Sequence, residues 1–207
     1  MWSALPDDVV QHLEEAVAEH APRTLAIFAR LNKRCRELAA ARLARVKPLL
    51  EPPFRLTADD IFRRNLDLHN RKLRAEHVEV LVLALVSGAL TSLTTLILYS
   101  NAIGDDGMKA LADACASGAL ASLTKLNLED NEIGDDGVSA LAGACANGAL
   151  PALKELNLNS NQIADAGKSA LADALSKGAL PNLKELILIE NAPALEAACE
   201  ARGITYH

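Results

Sequence analysis

A repeat of thirty residues runs through the C-terminal two thirds of this 207-residue chain, and it constrains the fold more than any other feature. Three blocks, 90–119, 120–149 and 150–179, align without gaps and share leucines, an asparagine, an isoleucine and a glycine at the same offsets. Units of this kind cannot bury an apolar face alone, so they stack against their neighbours and form one continuous core. In the first block the shared residues are Leu93, Leu96, Leu98, Asn101, Ile103, Gly107 and Leu111.

The same spacing continues on both sides of the three blocks, although less regularly. An imperfect unit starts near residue 60 and carries Leu66 and Leu68 at the expected places. A further unit begins at Leu180, shortens at Pro193 and ends near Tyr206. Irregular end units are expected where a stack meets water. We therefore expect residues 60–207 to form one domain of about four repeats followed by a C-terminal cap.

Each unit is predicted to be a strand followed by a helix. Alternate leucines at 96–98 and in its copies point to one side, as a strand with one buried face requires. Further along, Asp105 or Asp106 is expected to cap the start of the unit's helix, where negative charge is favourable. Gly118 is expected to end that helix in the left-handed conformation. The fold class predicted from these features is α/β.

This pattern, L-x-x-L-x-L-x-x-N-x-I, resembles the leucine-rich repeat family over about residues 60–207. The long period and the G-x-x-x-L helix segment are most similar to the ribonuclease-inhibitor-like subclass. The resemblance implies a solenoid with parallel strands on its concave side and helices on its convex side. Recurring asparagines are expected to bond backbone groups of adjoining turns as an internal ladder. Its members are Asn101, Asn131, Asn161 and Asn191.

If the strand leucines point inward, the residues between them line the concave face and become the candidate partner-binding residues. Most of these positions are equally well explained as solvated strand residues, whereas Tyr99 and Ile97 fit a water-facing role less well. Ile187 and Ile189 also fit a water-facing role less well, unless they lie beneath the C-terminal tail. The candidates are Asp67, His69, Thr95, Ile97, Tyr99, Lys125, Asn127, Glu129, Glu155, Asn157 and Asn159.

The area of this face limits what it can hold alone. Five strands about 4.8 Å apart, each three residues deep at about 3.4 Å, present about 240 Å². A stable interface needs roughly 800 Å² from each partner. A firm partner is therefore expected to touch the loops after each asparagine or the N-terminal segment as well.

The first fifty residues lack the repeat and are predicted to be helical. Residues 5–13 and 25–38 resemble an F-box, the helical module that docks onto the adaptor subunit of cullin–RING ubiquitin ligases. The resemblance implies an F-box-like segment at 1–50, and Pro52 and Pro53 predict a linker at 51–59 before the repeats. Its adaptor-contacting residues would be Leu5, Pro6, Val9, Val10 and Leu13.

Two functions are compatible with this organisation. The chain is predicted to be a substrate-recognition subunit of a cullin–RING ligase, with the target on the repeats and the adaptor on the N-terminal helices. The alternative is a stand-alone binding or inhibitory scaffold. Its N-terminal helices would only cap the open end of the stack, against Leu66, Leu68 and Leu81.

Charge is distributed unevenly along the chain. Residues 90–207 contain seven Lys and Arg against fifteen Asp and Glu, a net charge of −8, whereas residues 1–89 carry +2. This acidic repeat region argues against a phosphate backbone or an anionic membrane as the main partner. Aromatic residues make up only 3% of the chain, too few for base-stacking platforms. We therefore expect neither a nucleic acid nor a membrane as partner.

We also expect no enzymatic activity, no metal site and no cofactor. The cysteines form no C-x-x-C pair, and the histidines show no ligand spacing. Cys115 and Cys145 fall at the offset that Leu85 and Leu175 occupy in the neighbouring units. This exchange predicts buried thiols and a reducing location, cytoplasmic or nuclear. The start of the sequence lacks the pattern of a secretory signal, which favours the same location.

Overall fold

A computed structural model describes residues 54, 64–87, 90, 92–189 and 191–207. The predicted F-box-like segment and most of the predicted linker lie outside these residues. The expectations for them remain predictions, including the adaptor contacts of Leu5, Pro6, Val9, Val10 and Leu13.

The described residues form strands and helices in strict alternation along the chain. The strands pair in parallel, in the order β1 to β6. The strands are β1 Asn65–Asp67, β2 Thr95–Ile97, β3 Lys125–Asn127, β4 Glu155–Asn157, β5 Glu185–Ile187 and β6 Thr205–Tyr206. The helices are α1 Ala75–Val86, α2 Gly104–Ala116, α3 Asp135–Ala146, α4 Asp165–Ser176 and α5 Pro193–Ala201. This arrangement confirms the predicted α/β leucine-rich repeat solenoid.

The register of the sheet equals the sequence period. Leu66 lies opposite Leu96, and this pairing of residues thirty positions apart continues along the sheet to β5. The side chains at this offset are at most 1% exposed, because they point between the sheet and the helix layer. These side chains are Leu66, Leu96, Leu126, Leu156 and Leu186.

Two recurring glycines in each unit have separate structural roles. Gly118, Gly148 and Gly178 have φ values of +82°, +89° and +89°, which confirms the left-handed helix ending. Gly137 has a different role, because a Cβ there would lie 2.7 Å from Oδ1 of Asp105 in the preceding helix. Glycine at this offset therefore lets adjacent helices approach each other at their N-terminal ends.

The prediction that Asp105 or Asp106 caps its own helix is wrong. Helix α2 already begins at Gly104, so both aspartates lie in its first turn. Oδ1 of Asp105 instead accepts hydrogen bonds from the backbone N–H groups of Gly134 and Gly137, at 2.8 and 2.9 Å, and so caps helix α3. Asp135 does the same for helix α4, through the N–H groups of Ala164 and Gly167. Each cap therefore comes from the preceding repeat.

Three of the four predicted ladder asparagines join adjoining turns. The side-chain amide of Asn161 donates to the carbonyls of Leu128 and Leu158, both at 2.9 Å. Its Oδ1 accepts from the N–H groups of Asn131 and Ile133, at 3.0 and 3.1 Å. The amides of Asn101 and Asn131 donate to carbonyls of their own and the preceding turn in the same way.

Asn191 differs from the other three, and its expected ladder bonds do not form within the described residues. Its side chain is exposed, because helix α5 begins at Pro193, only two residues later. The last unit is closed in another way. The guanidinium of Arg202 donates to the carbonyls of Leu175, Ala179 and Leu180, which lie at and beyond the C-terminal end of helix α4.

The cysteines in the described residues are free and buried, as the exchange with leucine predicts. Burial raises the pKa of the Cys115 and Cys145 thiols to about 12, and it also raises that of Cys199. Cys35 lies outside the described residues. Among the described helices, none has the length and apolar character needed to cross a bilayer.

Candidate functional site

The side chains between the buried strand leucines form three columns on the sheet face turned away from the helices, which we call the concave face. The first column is the first residue of each strand, the second is two residues later, and the third lies just past the strand end. Most of these side chains are half-buried, whereas Asp67 and His69 at one end are exposed. The columns therefore present a continuous, partly accessible surface.

An aromatic and apolar patch occupies the N-terminal end of this face. The imidazole of His69 stacks on the ring of Tyr99, with ring centroids 4.9 Å apart and an angle of 6° between the planes. Asp67 holds that imidazole, since its Oδ1 lies 2.7 Å from Nδ1 of His69. Ile97 pairs with Asp67 across the strands and is half-buried. We call these four residues the His69–Tyr99 patch.

The polar side chains in the middle of the concave face bond to one another or to the backbone beside them. Nζ of Lys125 lies 2.6 Å from Oε1 of Glu155 on the next strand. The amide of Asn157 donates to Oε2 of Glu129 at 2.9 Å, and Asn157 is only 7% exposed. The Oδ1 atom of Asn127 accepts the backbone N–H of Glu129. These side chains have satisfied much of their hydrogen-bonding capacity before any partner arrives.

The C-terminal end of the face contains Glu185 and His207, which are not among the predicted partner-binding residues. Oε1 of Glu185 lies 3.4 Å from Nε2 of His207, which follows the last strand. Ile189 is 67% exposed, so it does not lie beneath the C-terminal tail. The tail instead pairs edge to edge with β5, and the N–H of Leu188 donates to the carbonyl of His207. His207 could be found from sequence only by aligning the shortened final unit on its strand.

The formal charge of the face is negative. Among the described residues of the three columns, the acidic side chains outnumber the single lysine four to one, counting histidine as neutral. Asp130 extends this charge onto the loops, where its Oδ2 accepts from the hydroxyl of Ser100 at 2.9 Å. The charged residues of the columns are Asp67, Lys125, Glu129, Glu155 and Glu185.

The candidate partner-binding residues thus fall into two groups. The His69–Tyr99 patch is brought together at one end, with Thr95 half-buried beside it on β2. The others lie in the polar middle of the face, where Oδ1 of Asn159 accepts a hydrogen bond from the backbone N–H of Ile189 at 3.3 Å. In the described part of the chain, no three His, Cys, Asp or Glu side chains are grouped as metal ligands would be.

Comparison with known protein families matches three segments of this chain, each spanning a strand and most of the following helix. Residues 89–112, 119–142 and 150–172 match the family described as Leucine Rich repeat. A comparison with curated proteins finds none that matches the chain. The three segments are therefore leucine-rich repeats. Stacks of such repeats are scaffolds whose extended surfaces bind other proteins.

Proposed function

We propose that this chain, built on leucine-rich repeats, is a substrate-recognition subunit of a cullin–RING ubiquitin ligase. In this proposal the repeats hold the target protein and the N-terminal segment holds the ligase adaptor. The repeat scaffold supports the first half of the proposal. The second half is supported by the F-box resemblance at residues 5–13 and 25–38.

The observation that carries target binding is the His69–Tyr99 patch. A stacked imidazole and phenol beside a half-buried isoleucine offer a flat, largely apolar surface next to the polar middle of the concave face. Aromatic residues are enriched among the side chains that dominate interface energies. The neighbouring carboxylates favour positive charge on the partner. We propose a protein target that places an apolar side chain on the patch and lysine or arginine beside it.

The target site is tested with charge insertions at Tyr99 and Ile97. Tyr99→Asp and Ile97→Asp are expected to weaken capture of a target at least tenfold without unfolding the stack, because both side chains remain partly exposed. Ser139→Asp and Ser169→Asp add the same charge at exposed positions of helices α3 and α4, outside the concave face, and are the matched controls. A dissociation constant unchanged in both patch variants removes the site.

The adaptor site is tested by co-purification of the full-length chain with a recombinant cullin adaptor. Leu5→Asp and Val9→Asp are expected to abolish capture, whereas Glu14→Gln in the same segment keeps it. A full-length chain that is folded by circular dichroism and still captures no adaptor contradicts the ligase proposal.

The alternative is a stand-alone scaffold whose N-terminal segment only covers the first repeat. One observation favours it. Phe54, the first residue described, is 1% exposed and belongs to the core of the stack. The same co-purification separates the two functions, since the alternative requires no adaptor.

A further inference from the structure

Helix α1 carries large apolar side chains where the following helices are polar or small. Leu83 is 71% exposed and Val86 is 54% exposed. The three following helices expose the same two offsets to water, so these offsets are the outer surface of the helix layer. The residues there are Asp113, Gly143 and Asp173 at the first offset, and Ala116, Ala146 and Ser176 at the second.

The flank of α1 that looks toward the start of the chain is apolar as well. Ala112, Ala142 and Ala172 are 3%, 3% and 5% exposed, and each belongs to a helix that packs against a preceding one. Val82 has the same offset in α1, which follows no other helix among the described residues, and it is only half-buried. Val82, Leu83 and Val86 therefore form one apolar surface, which we call the α1 outer face.

The chain itself enters the repeats beside this surface. The ring of Phe54 meets the imidazole of His77 edge-on, with centroids 6.3 Å apart and an angle of 85°. His77 lies in the first turn of α1. Six to nine residues separate His77 from Leu83 and Val86, about 9 to 14 Å along a helix. Phe54 therefore lies near the N-terminal end of α1, on the same helix as the α1 outer face.

Residues 25–38 have the chemistry to cover it. One side of this segment is an apolar stripe. The basic residues between the members of the stripe are opposite in charge to Glu76 and Glu79, which are exposed on α1. Sixteen residue steps separate Leu38 from Phe54, which span up to about 50 Å when extended, enough to reach the α1 outer face. The stripe consists of Leu25, Phe28, Leu31, Cys35 and Leu38.

We propose that residues 25–38 of the same chain pack their apolar stripe on the α1 outer face. This covers a surface that would otherwise be an exposed apolar patch. The contact uses residues 25–38, whereas the proposed adaptor contacts fall on residues 5–13, so the two proposals are tested by different variants. It also differs from a cap on Leu66, Leu68 and Leu81, which are already at most 1% exposed.

The repeats themselves supply the variant that tests this contact. Leu83→Asp combined with Val86→Ala gives α1 the outer residues of α2, Asp113 and Ala116, so the helix is expected to fold. In the full-length chain, amide hydrogen exchange of residues 25–38 is expected to be slow, and at least tenfold faster in the double variant. Exchange in residues 120–180 should not change. Fast exchange in the wild type, or no acceleration in the variant, overturns the proposal.

A cross-link tests the same contact by distance. A short bifunctional maleimide is expected to join Cys35 to Leu83→Cys or Val86→Cys within one chain. Ser176→Cys, at the offset of Val86 but three helices away, should give no such product. Cys115, Cys145 and Cys199 are buried, and burial raises the pKa of each thiol, so they should not compete. A cross-linked dimer as the main product would assign the face to a second copy and overturn the proposal.

Discussion

The junction between α1 and α2 differs from the junction between α2 and α3 by one carboxylate. Asp105 reaches from α2 to the N-terminal end of α3, where it accepts hydrogen bonds from two backbone N–H groups. The residue at the same offset in α1 is Ala75, whose methyl side chain has no hydrogen-bond acceptor. At the start of helix α1 a side chain of the same helix accepts a backbone N–H, since Nδ1 of His77 accepts the N–H of Arg74 at 3.0 Å. Among α1, α2 and α3, helix α2 alone receives no side-chain acceptor from the described residues on its first N–H groups.

The hydrogen bonds of the ladder asparagines differ between the two junctions as well. At Asn161, the loop that leads into the capped helix α3 turns two N–H groups toward Oδ1. At Asn131, the loop before α2 takes another path. Gly104 has φ +61° and donates to the backbone carbonyl of Asn131, and the buried Oδ1 of Asn131 has no partner in the described part of the chain. We infer from this comparison that the carboxylate cap of α3 favours the loop conformation in which two N–H groups reach the ladder asparagine.

The largest effect expected from this comparison is a difference between two asparagine deletions. Asn161→Ala leaves two N–H groups and three carbonyls without their amide partner, and should lower the free energy of unfolding by about 3 kcal/mol. Asn131→Ala removes the same atoms but loses only the donated bonds, and should cost about 1 kcal/mol less. Urea midpoints of the two variants, with unchanged slopes, measure this. If Asn131→Ala is the more damaging variant, the coupling is wrong.

The next effect separates two adjacent aspartates of helix α2. Asp105→Ala removes the cap of α3 and should cost about 1 to 2 kcal/mol, the usual range for a lost N-terminal cap. Asp106→Ala removes the same charge from the same turn. However, the Asp106 side chain is 88% exposed and its nearest cation, Lys109, is 4.0 Å away. That loss should be within about 0.5 kcal/mol. Thermal unfolding of the pair checks the prediction, and equal losses would show that only helix charge matters.

The thirty-residue frame predicts the fold well, for a local reason. Leu96 and its copies recur at one offset, and parallel strands pair at that offset because each unit repeats the same path. The concave columns follow from strand alternation alone. What alternation cannot predict is which side chains pair across strands, such as Asn157 with Glu129.

The role of Asp105 could not be predicted from the sequence, because N-capping residues are normally sought beside the helix that they cap. Its hydrogen-bond donors lie 29 and 32 residues further along the chain. The clue was the recurring Gly137, whose missing side chain makes room for that carboxylate. Asn191 escapes for the opposite reason: its offset is regular, but Pro193 starts the next helix too early for a ladder loop to form.

A smaller effect is a gain of stability when the missing carboxylate is supplied. Ala75→Asp should place an acceptor at the start of α2 and raise the free energy of unfolding by about 0.5 to 1 kcal/mol. Ala75→Leu is the control for a larger side chain without an acceptor, and should give no gain. A rise in melting temperature of a few degrees, seen only with aspartate, is the expected result. A loss of stability would mean that the α1–α2 junction has no room for the cap.

The smallest effect is kinetic and uses two thiols that occupy the same offset in the two helices. Cys115 lies in α2 and Cys145 in α3, both are about 1% exposed, and burial raises the pKa of each to about 12. At pH 8 only about one in ten thousand of such thiols is ionised, so labelling must pass through local opening. Because α2 lacks its cap, Cys115 should react a few-fold faster than Cys145 when each site is followed by mass spectrometry.

The pH dependence and one variant show whether that ratio reports the cap. In the opened state each thiol regains a pKa near 8.5, so both labelling rates should rise about tenfold per pH unit below that value and level off above it. Stability changes in the other direction with pH, because the thiol pKa is higher in the closed state than in the unfolded chain. Above about pH 9 the unfolded chain loses these protons first, and the free energy of unfolding falls. Ala75→Asp should bring the two rates together by slowing Cys115 alone. If the ratio survives that substitution, easier opening of α2 has another cause than its missing carboxylate.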